Sequence, residues 1–147
     1  MTIKISHHIK FSMLEHAKSC YPNECCGFII GHSIETSDGS DSVKGLYYMP
    51  CNNRQQHNTR RRFLIDPDAY QEAEDEADER GQRIISIVHS HPNHSDLPSE
   101  FDRTHAWPGL SYIIISVYDG RVHSYNSWRL TDDRTRFEEE NIIRGDA

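Results

Sequence analysis

Apolar residues recur along this chain in short bursts, and the residues that interrupt the bursts delimit its elements. From His8 to Cys20 the positions Ile9, Phe11, Leu14 and Ala17 make a rough helical stripe, which Tyr21-Pro22 stops. Cys25 to Gly31 (CCGFIIG) is an apolar run bounded by turn residues and predicts a buried strand. Ser33–Ser42 reads as a polar surface loop, and Val43–Met49 as the next strand. Asn52–Arg62 is a polar, basic, irregular connection, followed by a brief strand over Phe63-Leu64-Ile65. Asp66-Pro67 opens a helix over Asp68–Arg80, and Gly81 ends it. Its many carboxylates turn most of that helix to water. Arg83–His91 predicts a central strand. Tyr112–Tyr118 and Val122–Trp128 flank Asp119-Gly120, a strong two-residue hairpin signal. Thr131–Ala147 reads as a charged tail with one helix at Phe137–Ile143. Strands and helices are interspersed and hairpins are present. The expected fold class is therefore α/β in the broad sense (α+β), one mixed sheet flanked by two or three helices.

Composition narrows the setting. A chain of 147 residues is about one domain and can bury a core without disulfides. Lys and Arg total 16 against 23 Asp and Glu, a net charge of −7, which disfavours nucleic acid or an anionic membrane as a general partner. None of Cys20, Cys25, Cys26 and Cys51 forms a C-x-x-C pair, and adjacent Cys25 and Cys26 make a disulfide framework hard to build. The start Met1-Thr2-Ile3-Lys4-Ile5 carries no signal-peptide core, and no apolar run approaches membrane-spanning length. The expectation is a reduced, soluble, cytoplasmic protein.

The chemistry concentrates in His89-Ser90-His91-Pro92 and Pro98-Ser99-Glu100-Phe101-Asp102. Side-chain alternation sets Ile85, Ile87, His89 and His91 on one face of the central strand, with the two imidazoles roughly 6–7 Å apart along it. The loop Pro92–Leu97 leads to Pro98-Ser99, where a helix begins with Asp102 in its first turn. Two imidazoles and a carboxylate suit zinc, and three protein ligands leave one coordination position open, as in a catalytic site. Ser99-x-x-Asp102 is also a capping-box pattern, and a histidine pair at a strand end is also a common surface feature.

The segment His89 to Asp102 resembles the H-x-H-P…S-x-x-D signature of the JAMM (MPN+) metallopeptidases. Pro22-Asn23-Glu24-Cys25-Cys26-Gly27-Phe28-Ile29-Ile30-Gly31 matches the glutamate and strand that the family places near the start of its domain. Phe63-Leu64-Ile65-Asp66-Pro67 and the terminal hairpin resemble its short prokaryotic branch. The likeness implies a single MPN/JAB domain over residues 1–130, with 131–147 as its charged tail. It also implies a curved mixed sheet with cytidine-deaminase-like layering. Further, it implies that His89, His91 and Asp102 hold one Zn²⁺, which would bring the pKa of a water there to about 7. Glu24 would then be the general acid–base, and Ser99 would donate to the oxyanion, although its other reading is the N-cap. Without the resemblance, Glu24 reads as a solvated turn residue.

His105, three residues after Asp102, reads as a supporting donor beside the site or as a solvent-facing side chain. His94 and Asp96 read as exposed loop residues. Cys25 and Cys26 read as small buried hydrophobes. Arg60-Arg61-Arg62, with Arg54 upstream, is a solvated charge run or a docking surface for an acidic partner, with Arg62 a candidate for supporting the site or binding substrate.

Only Trp107-Pro108-Gly109-Leu110 separates the site helix from the next strand, leaving little room for the insertions with which deubiquitinating members grip ubiquitin. The short form resembles members that process small ubiquitin-like sulfur-carrier proteins ending in Gly-Gly. The implied activity is hydrolysis of the peptide bond after that Gly-Gly, releasing an amino acid or short peptide. The tail would add as a strand at a sheet edge, and exposed edges also suggest a homodimer. An isopeptidase removing a ubiquitin-like modifier from lysine is the alternative of the same chemistry. A non-catalytic MPN scaffold is the alternative of another class, although such domains typically lack the ligands present here. RadC-type proteins share the H-x-H-P…P-S-x-x-D segment but fit the Pro-Asn-Glu-Cys-Cys-Gly start poorly. A zinc deaminase would need H-x-E with P-C-x-x-C, and the chain has neither.

Overall fold

A computed structural model describes residues 2–35, 42–51 and 67–144. In chain order it contains β1 (Thr2–Ile5), α1 (His7–Cys20), β2 (Cys26–Ile34), β3 (Ser42–Cys51), α2 (Pro67–Glu79), β4 (Arg83–Pro92), α3 (Glu100–His105), β5 (Ser111–Tyr118), β6 (Arg121–Leu130) and β7 (Phe137–Arg144). The strands run β1-β3-β2-β4-β5-β6-β7 and close, because β7 pairs with β1. The expected mixed sheet is present: β4 and β5 are parallel, whereas β2–β3, β2–β4, β5–β6 and β6–β7 are antiparallel. Closure is partial at two places: β1 covers β3 only over Ser42–Lys44 and β7 covers β6 only over Ser127–Leu130, so the rest of each strand pairs on one side alone among the described residues. The run Asn52–Arg62, the strand expected over Phe63-Leu64-Ile65, and most of the expected loop Ser33–Ser42 lie outside the described residues. Ser33 and Ile34 themselves extend β2.

The sheet has an apolar cluster on each face. On one, Ile9, Met13 and Ala17 of α1 pack against Ile29, Val88, Ile113 and Ile115. The inward helical set is thus Ile9, Met13 and Ala17 at i, i+4 and i+8, while Phe11 is exposed. Ser6 caps α1, its hydroxyl accepting from the Ile9 N–H. On the other face Ala73 and Ala77 bring α2 close to Phe28, Ile30, Ile84 and Ile87. Gly81, with φ +69°, ends that helix in the left-handed region, as its sequence position predicts.

A bulge in β4 changes its parity. Ile29 pairs with Ser86 and Ile30 with Ile84, so Ile85 is the extra residue. Ile85 packs on the α1 side with Val88, whereas Ile84 and Ile87 pack on the α2 side. The single face expected for Ile85, Ile87, His89 and His91 is therefore true only from Ile87 onward.

Residues 137–144 overturn the expected helix. They form the closing strand β7, in which Glu140 is buried and turned inward. Its carboxylate accepts from Ser127 Oγ at 2.8 Å and Arg129 Nε at 2.5 Å. An inward carboxylate breaks the apolar alternation that marks a half-buried strand, and the surrounding charges then imitate an exposed helix. Removing one partner of a buried ion pair leaves the other uncompensated, at a cost of about 3–5 kcal/mol. Glu140→Ala is therefore expected to lower the urea unfolding midpoint by that amount of stability. An unchanged midpoint would show that this pair does not hold the closure.

Candidate functional site

Parallel strands need a crossover connection, and the one between β4 and β5 carries α3 back to the C-terminal end of β4. That route brings Asp102 over His89 and His91. The two Nε2 atoms lie 3.2 Å apart. His89 Nε2 is 3.1 Å from Asp102 Oδ1, and His91 Nε2 is 3.1 Å from Asp102 Oδ2. Each residue offers a ligand atom within 4.8 Å of the other two, and among the described residues this is the one such group. His89, His91 and Asp102 are all nearly inaccessible to solvent.

Protonation follows from the partners. His91 Nδ1 lies 2.8 Å from the Ser95 carbonyl oxygen, an acceptor only, so Nδ1 carries a proton and Nε2 is the atom turned toward Asp102 and His89. Burial holds the His89 imidazole below its ordinary value, against the pull of Asp102. Burial alone would raise the Asp102 carboxyl; the charges and hydrogen bonds of His89 and His91 outweigh it and hold the group well below the carboxylate range. Two imidazole nitrogens and a carboxylate therefore face one another at close range, a donor set that suits a cation once both Nε2 atoms are free of protons. Donors about 2.0–2.1 Å from a tetrahedral zinc stand roughly 3.3 Å from one another. The two imidazole nitrogens, 3.2 Å apart, are close to that edge length, and Asp102 meets His89 through Oδ1 and His91 through Oδ2.

The supports come from local folding rules. Ser99 is the N-cap of α3: its hydroxyl accepts from the Asp102 N–H at 3.1 Å, and Asp102 Oδ2 accepts from the Ser99 N–H at 2.8 Å. The two readings of Ser99-x-x-Asp102 thus coincide, because the capping box fixes the rotamer that aims Asp102 at the histidines. Capping uses an oxygen lone pair of Ser99; its hydroxyl proton is a separate resource. Glu24 is buried just before β2, so it is not the solvated turn residue that its neighbours alone suggested. Its neighbour Cys25 is tied to the histidine strand at both backbone atoms. Cys25 N–H donates to Ser90 Oγ at 2.8 Å, and Ser90 N–H to the Cys25 carbonyl at 3.2 Å. Cys26 then lies opposite His89 in the strand pairing.

Asp96, expected to be exposed, is buried and anchors the ligand loop. It accepts from Ser124 Oγ at 2.7 Å and Asn126 Nδ2 at 3.1 Å, and its carbonyl accepts from Trp128 Nε1 at 2.9 Å. The signal for it lies in β6, where Ser124, Asn126 and Trp128 alternate on one face as a row of donors. Asn93, with φ +59°, receives Tyr21 Oη–H on its side chain and donates its N–H to the Val117 carbonyl. His94 is exposed, as expected.

His105 is exposed on the wall of the adjoining cavity. Its Nδ1 donates to the Phe101 carbonyl at 2.9 Å, and its ring stacks on Phe101 with centroids 4.0 Å apart. The cavity, about 800 Å³, has His89 and Asp102 in its lining, with aromatic walls from Tyr70, Phe101, Trp107 and Tyr112. Trp107 is 66% exposed at its rim. Arg62 and the arginine run lie outside the described residues. No helix among the described residues is long and apolar enough to cross a membrane.

Comparison with known proteins follows the same lines. The chain is 33% identical over 93 residues to tail tip assembly protein K of Escherichia phage N15, covering 63% of this chain and about a third, 31%, of that protein. It is 29% identical over 120 residues to the desampylase of Haloferax volcanii, covering 78% and 79% of the two chains. It is 25% identical over 133 residues to the CysO-cysteine peptidase of Mycobacterium tuberculosis, covering 90% and 85%. Among solved structures, a protein from Desulfitobacterium hafniense superimposes with a TM-score of 0.81 at 28% identity, over 100% of this chain and 94% of that one. A JAB1/MPN domain protein from Archaeoglobus fulgidus shares the fold, with a TM-score of 0.54 at 22% identity over 96% and 99%. The family model describing prokaryotic homologs of the JAB domain matches residues 8–131, and the chain belongs to that family.

Proposed function

We propose that this protein is a zinc-dependent peptidase that hydrolyses the bond after the C-terminal Gly-Gly of a small ubiquitin-like sulfur-carrier protein, releasing an amino acid or short peptide. The observation that carries the reading is the convergence of His89, His91 and Asp102 beside an aromatic-walled cavity that His89 and Asp102 help to line, with a buried glutamate just before the adjacent strand. The relatives' names, CysO-cysteine peptidase and desampylase, support hydrolysis and a ubiquitin-like class of substrate.

His89, His91 and Asp102 would hold the ion, which when bound supplies Lewis acidity and lowers the pKa of water. Glu24 takes up the proton of the attacking water and returns it to the departing amine. The hydroxyl proton of Ser99, not needed for capping, donates to the oxygen on which negative charge develops. The cavity beside His89 receives the chain on one side of the scissile bond, and Trp107 closes its rim.

Intact-mass spectrometry of Gly-Gly carrier proteins, each extended by a few residues, tests the reading. Cleavage after Gly-Gly by the zinc-loaded protein, absent after chelation, is expected. Release of a modifier from lysine, with no cleavage of linear extensions, would favour the isopeptidase that the desampylase relative suggests. No cleavage of either substrate with zinc bound would favour a scaffold. Glu24→Ala is expected to retain zinc and lose roughly a hundred- to ten-thousand-fold in turnover; retained turnover would remove Glu24 from the mechanism.

Ser99→Ala separates its two roles. Loss of the cap costs about 1 kcal/mol of stability, and loss of an oxyanion donor costs roughly a hundred- to a thousand-fold in kcat. Lower stability with undiminished kcat at full zinc content would leave only the cap.

The metal-free protein is expected to be acid-sensitive. His89 has its folded pKa lowered from 6.5, so its contribution is fully present above that value and is lost as pH falls through the folded pKa. Asp102 is lowered from 3.8 and adds acid loss only below that range. Between pH 7 and 5 (~6.5 being the ordinary histidine value), Tm of the chelated protein should fall, and His89→Gln should flatten the fall. Parallel curves would show that His89 does not govern it.

A further inference from the structure

We propose that Cys26 and Cys51 are a reversible disulfide-forming pair, oxidised when the protein meets a peroxide. Adjacent cysteines argue against a disulfide only if both must reach one partner. Here strand alternation sends them apart: Cys25 packs in the core beneath α1, while Cys26 turns to the opposite face. Cys26 and Cys51 are directly opposed in the antiparallel β2–β3 pair, with Sγ atoms 2.9 Å apart. Opposed residues in such a pair have Cα atoms about 4.5–5.5 Å apart, inside the roughly 4.4–6.8 Å that a disulfide requires. The bond can therefore form without moving the backbone. Access is unequal, since Cys26 is fully buried and Cys51 is partly exposed.

The chemistry balances with hydrogen peroxide as oxidant. The Cys51 sulfur attacks one peroxide oxygen, the O–O bond breaks, and Cys51 sulfenic acid and one water result. The Cys26 sulfur then attacks the Cys51 sulfur, and the expelled hydroxyl leaves with the Cys26 proton as a second water. Two thiols are oxidised to a disulfide and one peroxide is reduced to two waters. The bridge would fasten the last residue of β3 to the residue paired with His89, one strand from the metal-ligand group. It stands independently of the peptidase reading.

A second thiol pair must be separated from it. A hydrogen bond with Cys25, and another with His16, lower the Cys20 thiol to about 4, so Cys20 competes for oxidant. Cys20→Ser/Cys25→Ser leaves only the pair in question. After hydrogen peroxide, this variant is expected to lose the mass of two hydrogens. Under denaturing conditions its N-ethylmaleimide-reactive thiols should fall from two to none, with recovery in dithiothreitol. In wild type, Cys51 lies in a different tryptic peptide from the other three cysteines, so non-reducing digestion should yield a cross-linked peptide pair. That pair should persist in Cys25→Ser and vanish in Cys26→Ser and Cys51→Ser. Oxidised wild type in which Cys26 remains fully alkylatable, or a cross-link that survives Cys26→Ser, would overturn the assignment.

Discussion

Two imidazoles and a carboxylate held 3.1–3.2 Å apart, where little water reaches, must each be fixed in direction by their surroundings. That constraint organises the C-terminal end of β4. His91 is turned by the Ser95 carbonyl, Asp102 by the capping box of α3, and the loop between them by Asp96 and Asn93. Each of these supports removes a rotamer by which a ligand could turn away. The site is therefore assembled by ordinary backbone devices, a helix cap and a satisfied loop, placed where their side chains have a second use.

The sheet supplies the rigidity behind this. In the sheet order β4 lies between β2 and β5, and β5 between β4 and β6, and the paired Cys25–Ser90 bonds tie the start of β2 to the middle of the histidine pair. The strand that follows Glu24 is thereby joined to the histidine strand across some sixty residues of sequence by a local register, Cys26 opposite His89. Close packing enforces that register. At Gly31 an added Cβ would lie 1.9 Å from the Lys44 carbonyl oxygen, and at Gly27 it would lie 2.3 Å from Tyr48 Oη. Side chains at these points would separate the strands that position Glu24.

Much of this was legible in the sequence. The ligand motif, the helix over Asp68–Arg80 and the Asp119-Gly120 hairpin each carry a local signal, in spacing, caps or turn chemistry. The errors share a different cause. Phe137–Ile143 reads as a helix because a buried Glu140 depends on Arg129, a partner on another strand. Ile85 falls on the other face because a bulge is a property of two paired strands. Asp96 reads as a surface residue because its partners lie some thirty residues away in β6. Local periodicity carries no information about partners that arrive from elsewhere, and inward polar groups depend on such partners.

The six residues of α3 have a consequence of their own. A helix that short is far below the length at which hydrogen bonding sustains itself in water. It persists because of its cap and its seat on the sheet. The carboxylate that meets both imidazoles is also the one that closes the cap. Order in this turn and the contact between Asp102 and the histidines are consequently one equilibrium seen from two sides: whatever frays the turn also parts the carboxylate from the imidazoles.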